Sequence, residues 1–260
     1  MPRQRAAGRL RAGAGRATYL RAMDSREIST DRRLTDFLVE YLGKWTEAQG
    51  LTVVGSPVRT RPGWDGQVRD VVGVSTPHGG VLSVPPEALD AVRDAVRTWD
   101  DVPEHLPAAL GRPDATAYRG VFRWTQTPAE LPDAGQWVDA LDPRVPEWLH
   151  PFGGQVLISF DDAGRYAAGV GVKRHNTAGM EISVGTEEAH RGRGLATGLV
   201  AQAARWILTQ GAVPIYLHDP ANTASDRTAR SAGFPDLGWH IIGVGGRPLG
   251  EPRAARSTPD

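Results

Sequence analysis

Apolar residues at positions 34, 37, 38, 41 and 42 recur at three- and four-residue steps, which predicts an amphipathic helix over Asp31–Gln49. Gly50 follows as its stop. Three short strand-like runs come next, at Leu51–Val54, Val68–Ser75 and Val81–Val84. Helical period returns over Pro86–Trp99, with Leu89, Val92, Ala95, Val96 and Trp99 as the apolar stripe. Pro85 and Pro86 suit its first turn, where a missing N–H costs nothing.

Past residue 115 the pattern tightens. Tyr118–Thr125 reads as a strand and Gln126–Gly135, with two prolines and few large apolar groups, as a connector. Asp142–Pro151 is a second proline-punctuated stretch. Strands follow at Gln155–Phe160, Arg165–Lys173 and Met180–Thr186, separated by turn signals at Asp161–Gly164 and Asn176–Gly179. A helix is predicted over Gly194–Gln210, a strand over Val213–Leu217 and a helix over Thr223–Ala232. The order β-β-β-α-β-α is an antiparallel meander feeding a parallel crossover, so the fold class is α/β with a mixed sheet.

Composition narrows the chemistry. Thirty acidic and thirty basic side chains cancel, leaving no global field that favours nucleic acid or an anionic membrane. No apolar run approaches the roughly 18 residues of a membrane helix. The chain has no cysteine, which excludes disulfides, thiolate catalysis and zinc–sulfur sites and suits a reducing cytoplasm. No metal site is expected. Residues 1–22 carry six arginines and no acid, and the plain reading is a basic tail, or a start at Met23; residues 251–260 read as a second tail.

The candidate chemistry lies at His190-Arg191-Gly192-Arg193-Gly194-Leu195-Ala196, between a predicted strand and a predicted helix. A helix N-terminus presents unpaired N–H groups, so such a loop is a candidate anion site. Gly192 and Gly194 allow positive φ and close backbone approach, while Arg191 and Arg193 add positive charge. The loop is neither a Rossmann fingerprint, because Gly198 falls one place late, nor a Walker A motif.

These residues resemble the GNAT superfamily of N-acetyltransferases. Its phosphate loop is commonly written [QR]-x-x-G-x-[GA], and Arg191-x-x-Gly194-x-Ala196 matches each fixed position. Asn222-Thr-Ala-Ser225 followed by Gly233-Phe234 is similar to the family's second signature, in the right order. The resemblance covers about 124–239, closest to a bacterial subgroup with an extra N-terminal region. It implies a GNAT-like acyl-CoA N-acyltransferase domain at 116–250, preceded by an α+β region at 24–115 that is a degenerate copy of the fold or a cap on the acceptor site.

The resemblance implies acetyl-CoA as cosubstrate. The backbone of Val184, Gly185 and Thr186 would pair with its pantetheine arm and the amides of Arg191, Gly192, Arg193, Gly194, Leu195 and Ala196 would hold its pyrophosphate. Asn222 and Ser225 would face the arm. Gly185 as a β-bulge, and Asn222 as a plain helix N-cap, are the bland alternatives. The implied reaction is direct attack of a primary amine on the thioester, with Glu181 as candidate base acting through water. Glu181 is equally readable as a structural carboxylate paired with Arg174 or Lys173. The family's acid, a Tyr seven residues after the Asn, is replaced by Ala229, which leaves Ser225, Tyr216 and His218 to be tested, His218 more readily as a plain strand-end residue. That gap also keeps open a non-catalytic acyl-CoA-binding or regulatory module, or a protein-interaction unit. The acceptor, a small-molecule or peptide amine, is not legible: six tryptophans precede the cofactor half, at 45, 64, 99, 124, 137 and 148, but aromatic residues more often build core. Oligomeric state is likewise not legible.

Overall fold

The computed structural model describes residues 32–46 and 48–245. The arginine-rich start, the alternative start at Met23 and the final tail lie outside the described residues. Ten strands form one sheet: β1 Gly50–Gly55, β2 Val72–Ser75, β3 Gly79–Val84, β4 Ala117–Trp124, β5 Gln136–Asp139, β6 Gln155–Phe160, β7 Tyr166–Arg174, β8 Gly179–Thr186, β9 Val213–His218 and β10 His240–Val244. Their order is β1-β3-β2-β10-β4-β9-β8-β7-β6-β5. The meander β6-β7-β8 is antiparallel and β8 pairs in parallel with β9 across the crossover helix. The mixed α/β fold is as expected. The sheet runs unbroken across residue 115, because β10 inserts between β2 and β4.

Among the described residues five α-helices cover the sheet: α1 Arg32–Leu42, α2 Leu89–Ala95, α3 Val102–Ala109, α4 Leu195–Thr209 and α5 Thr223–Ser231. The alternation along each strand divides their cores. Leu34, Phe37, Leu38 and Leu42 of α1 pack with Val74, Val81, Phe122, Trp124 and Ile215. Leu199, Val200, Ala203 and Ile207 of α4 pack with Val170, Val172, Ile182 and Tyr216. Ile182 and Tyr216 are register partners, as are Glu181 and Ile215, so Glu181 lies on the α1 face and Tyr216 on the α4 face.

Where elements differ from the sequence reading, backbone conformation is the reason. The first helix ends at Leu42 rather than Gln49, because Gly43 adopts φ 86° and its N–H bonds the Val39 carbonyl. A side chain at 43 would also meet the Ser56 hydroxyl at 2.2 Å. The helix read over Pro86–Trp99 is a 3-10 turn plus the seven-residue α2, ended by extended Val96. Of the run 68–75 only Val72–Ser75 is strand, and Val68 is exposed. Strands β5 and β10 and helix α3 were not foreseen. α4 agrees within a residue at each end, with Gly194 as its N-cap at φ 79°.

Candidate active site

The loop before α4 takes the shape its glycines permit. Gly192 and Gly194 sit at φ 75° and 79°, and a methyl group on either would meet nothing within 4 Å. Glycine is needed there for conformation alone. Residues 191–194 are exposed, and the first bond closing α4 runs from the Gly198 N–H to the Gly194 carbonyl. The amides of Leu195, Ala196 and Thr197 therefore have no intrahelical acceptor. Arg191 Nε donates to the Thr186 carbonyl at 3.3 Å and Arg193 lies 3.0 Å from the His190 ring. Both arginines are folded back against the loop's own shoulders.

Beside the loop the sheet opens. The pairing of β8 with β9 runs from Gly179–Val213 to Ile182–Tyr216 and ends there, so Ser183, Val184, Gly185 and Thr186 lack a partner on that edge. Their pairing with β7 continues without a register shift, so no bulge at Gly185 produces the opening. Gly185 has a different role. A methyl group there would lie 2.8 Å from the Trp148 ring, so the missing side chain makes room for an aromatic. Two backbone carbonyls on the open edge already accept a bond, Gly185 from the Tyr166 hydroxyl at 3.2 Å and Thr186 from Arg191.

At the end of β9, Asn222 caps α5, its side-chain oxygen accepting the Ser225 N–H at 2.9 Å. The plain capping role is thus present, and the side-chain nitrogen is no part of it. Ser225 lies beside Tyr216, a fully enclosed side chain whose hydroxyl pKa burial pushes up against a hydrogen bond with Ser225 and the charge of Arg123. Ala229 is buried in the core. His218 is a structural residue: Nε2 accepts from Arg123 Nε at 3.0 Å, and Nδ1 lies 2.9 Å from the Asp219 carbonyl. Arg123 is the residue that sequence reasoning passed over. Fully buried in β4, it donates to His218, to the Phe234 carbonyl, to Asp226 of α5 and to Asp236. It ties α5 and the Gly233-Phe234 corner to the sheet, and a charged residue set between Phe122 and Trp124 is the signal that marked it.

A cavity of about 270 Å³ opens where β8 and β9 part, lined by Glu181, Ser183, Val184, Tyr216 and Ser225 on the strand side. Glu181 is 5% exposed and joined to Lys173 Nζ, and its second oxygen lies 2.9 Å from His175 Nε2. Burial pushes its pKa up, but the Lys173 charge and the His175 hydrogen bond outweigh that and hold it at about 2. Lys173 is its cross-strand neighbour, whereas Arg174 points away over the Trp206 ring. The facing wall comes from far along the chain: Trp64, Asp65 and Arg69, and Trp148, Pro151 and Phe152. Trp64 stacks on Phe152 with ring centroids 5.1 Å apart. Of the six early tryptophans two therefore line the cavity. Trp45 and Trp124 pack on Trp239, Trp137 packs on Trp206, and Trp99 joins the α2–α3 core.

The site is thus a mixed sheet that parts beside a glycine-headed helix N-terminus, with unpaired backbone groups on both. Residues 118–234 match the family model described as Acetyltransferase (GNAT) family. Solved structures give matches over longer stretches. A putative GNAT-family acetyltransferase from Novosphingobium aromaticivorans is 25% identical over 49% of this chain and 64% of its own, with a TM-score of 0.41. A GNAT-family acetyltransferase from Colwellia psychrerythraea is 15% identical over 57% and 62%, with a TM-score of 0.40. A GCN5-related N-acetyltransferase-like protein from Streptococcus suis is 16% identical over 64% and 78%, with a TM-score of 0.41. The chain thus spans just under two thirds of the length of the first two. No curated protein matches this chain. Among the described residues no helix is long and apolar enough to cross a membrane.

Proposed function

We propose that the protein transfers an acetyl group from acetyl-CoA to a primary amine by direct attack. The observation that carries this reading is the open edge of β8 at Ser183–Thr186, lying between the amides that head α4 and the cavity that holds Glu181 and Tyr216. An arm laid along Val184, Gly185 and Thr186 would bond the backbone groups that face the open edge as a further strand does, sharing or displacing the donors now on the Gly185 and Thr186 carbonyls. Its pyrophosphate would meet the amides of Arg191–Ala196 at the positive end of α4. Arg191 and Arg193 would swing from Thr186 and His190 onto the phosphates, a change of partner that involves exposed side chains only. Asn222 and Ser225 flank the same arm.

In the reaction the amine nitrogen bonds to the thioester carbon, the carbon–sulfur bond breaks, and CoA leaves as a thiolate. An N–H of the open strand stabilises the oxygen as charge develops. Tyr216, which lines the cavity with its hydroxyl next to Ser225, protonates the sulfur in place of the residue absent at Ala229, although burial makes it a weaker acid than a free tyrosine. Glu181 receives the amine's proton through water. Its grip by Lys173 and His175 makes it a weak base, and that pairing favours a second reading in which the domain binds acyl-CoA without turnover. The segment 57–70 caps the acceptor side in either case. The cysteine-free chain suits a cytoplasmic setting.

Two measurements test this. Titration calorimetry is expected to show acetyl-CoA binding at micromolar concentration, and absence of binding refutes both readings. A thiol-release assay over an amine panel is expected to show turnover that falls at least tenfold in Tyr216→Phe. Binding without release in any amine leaves only the second reading.

A further inference from the structure

The acceptor side of the cavity carries more information than the reaction class uses. Its apolar wall is a set of three rings. Trp64 stacks on Phe152, and Trp148 meets Phe152 edge-on at 6.1 Å. The rings are held at a fixed depth by glycines in the sheet beneath them: a methyl group at Gly171 would lie 2.4 Å from the Phe152 ring, and one at Gly185 would lie 2.8 Å from Trp148. The wall is therefore seated against bare backbone and cannot sink further.

The charged groups on the cavity are Asp65, Arg69, Lys173 and Glu181, and each is already partnered. Arg69 holds Asp65 through two bonds of 2.9 and 2.7 Å, and Lys173 holds Glu181, whose other oxygen faces His175. Two positive and two negative groups leave no net charge to compensate a further ion. A second charge on the acceptor would have to break one of these pairs or lie uncompensated, and both are unfavourable where the pair is sheltered from water, as at Lys173 and Glu181. The Trp64 indole N–H is itself enclosed and unbonded, so this residue meets the cavity through its apolar ring. The space, about 270 Å³, falls below the roughly 300–1,000 Å³ of pockets for drug-sized ligands.

From these features we infer that the acceptor is a small free amine with an apolar, ring-sized body and no second charge, selected by Trp64 together with Trp148 and Phe152. This rests on the acetyl-transfer reading above. The amine nitrogen reaches toward Ser183 and Val184 at the parting of β8 and β9, while the body lies against the rings. Amino acids fail on their carboxylate, and a peptide lysine would bring backbone amides to a wall of aromatic rings.

The test is a thiol-release assay on the full chain with phenethylamine, phenylalanine and a lysine-containing peptide, paired with calorimetry of acetyl-CoA binding. Expected is a kcat/KM for phenethylamine at least tenfold above those of phenylalanine and the peptide. Trp64→Ala is expected to lower it tenfold or more through KM, with acetyl-CoA affinity unchanged within twofold. Trp64→Phe keeps a ring and should lose less, which guards against a variant that merely misfolds. Equal or better use of phenylalanine or the peptide by the parent chain overturns the inference while the acetyl-transfer reading stands, as does indifference to Trp64→Ala. Failure to turn over phenethylamine while another amine is used also overturns it. No acetyl-CoA binding by the parent chain refutes the reaction reading itself, and the inference with it.

Discussion

On the donor side of the cavity the groups offered to a ligand are backbone amides and carbonyls within one stretch, from the open edge of β8 to the first turn of α4. On the acceptor side they are side chains from three separate places, 64–69, 148–152 and 173–181, brought together only by the sheet. The first side needs glycines with positive φ and empty space around them, as at 192 and 194. The second needs glycines crowded by aromatic rings, as at 171 and 185. The same residue type thus serves opposite purposes, and only the first leaves a recognisable spacing in the chain. Backbone recognition is encoded locally, whereas a side-chain pocket is a property of the assembled sheet.

The sharpest way to break the donor side without touching its loop is Arg123→Ala. Removing that guanidinium takes the donor from His218 and the Phe234 carbonyl and empties a fully buried volume, while Arg230 still holds Asp226 and Asp236, so a loss of about 3 kcal/mol is expected in urea unfolding. Should the melt stay within 1 kcal/mol of the parent (~ the size of one ordinary hydrogen bond), the clamp on α5 is not what holds that side together.

Glu181 sits where the two sides meet, and acid separates its structural from its chemical role. Its pKa falls from an ordinary 4.5 to about 2 on folding, so the stability it contributes is complete above 4.5 and is lost as pH drops toward 2. The parent is expected to lose up to about 3 kcal/mol across that window. Glu181→Gln should flatten this part of the profile. A profile unchanged by the substitution would mean that the ion pair with Lys173 and His175 does not form in solution.

Gly171→Ala probes the acceptor side alone. Its methyl group must displace the Phe152 ring, at an expected cost of about 1–3 kcal/mol. The informative readout is kinetic: KM for the amine should rise severalfold with KM for acetyl-CoA held. A matched rise in both constants would show the two sides to be one mechanical unit and dissolve the contrast.

Periodicity and turn chemistry alone were enough for the elements around the donor side. β6 was legible to the residue and α4 within one residue at each end, because amphipathic alternation and the glycines flanking α4 are local signals. The Arg191–Ala196 and Asn222–Phe234 spacings carried the family resemblance for the same reason, since each motif is contained within a short stretch of chain. What the chain could not show by itself was pairing at a distance. β10, five residues long, is a strand because β2 and β4 flank it, and its own run His240–Val244 is too short to declare itself. The choice between a catalytic and a paired Glu181 awaited the register that sets it opposite Lys173. Which tryptophans are core and which line a cavity depended on where Gly171 and Gly185 leave the sheet bare. Those are decisions of tertiary structure, because the energy that makes them lies in contacts between strands and loops, from eight to well over a hundred positions apart.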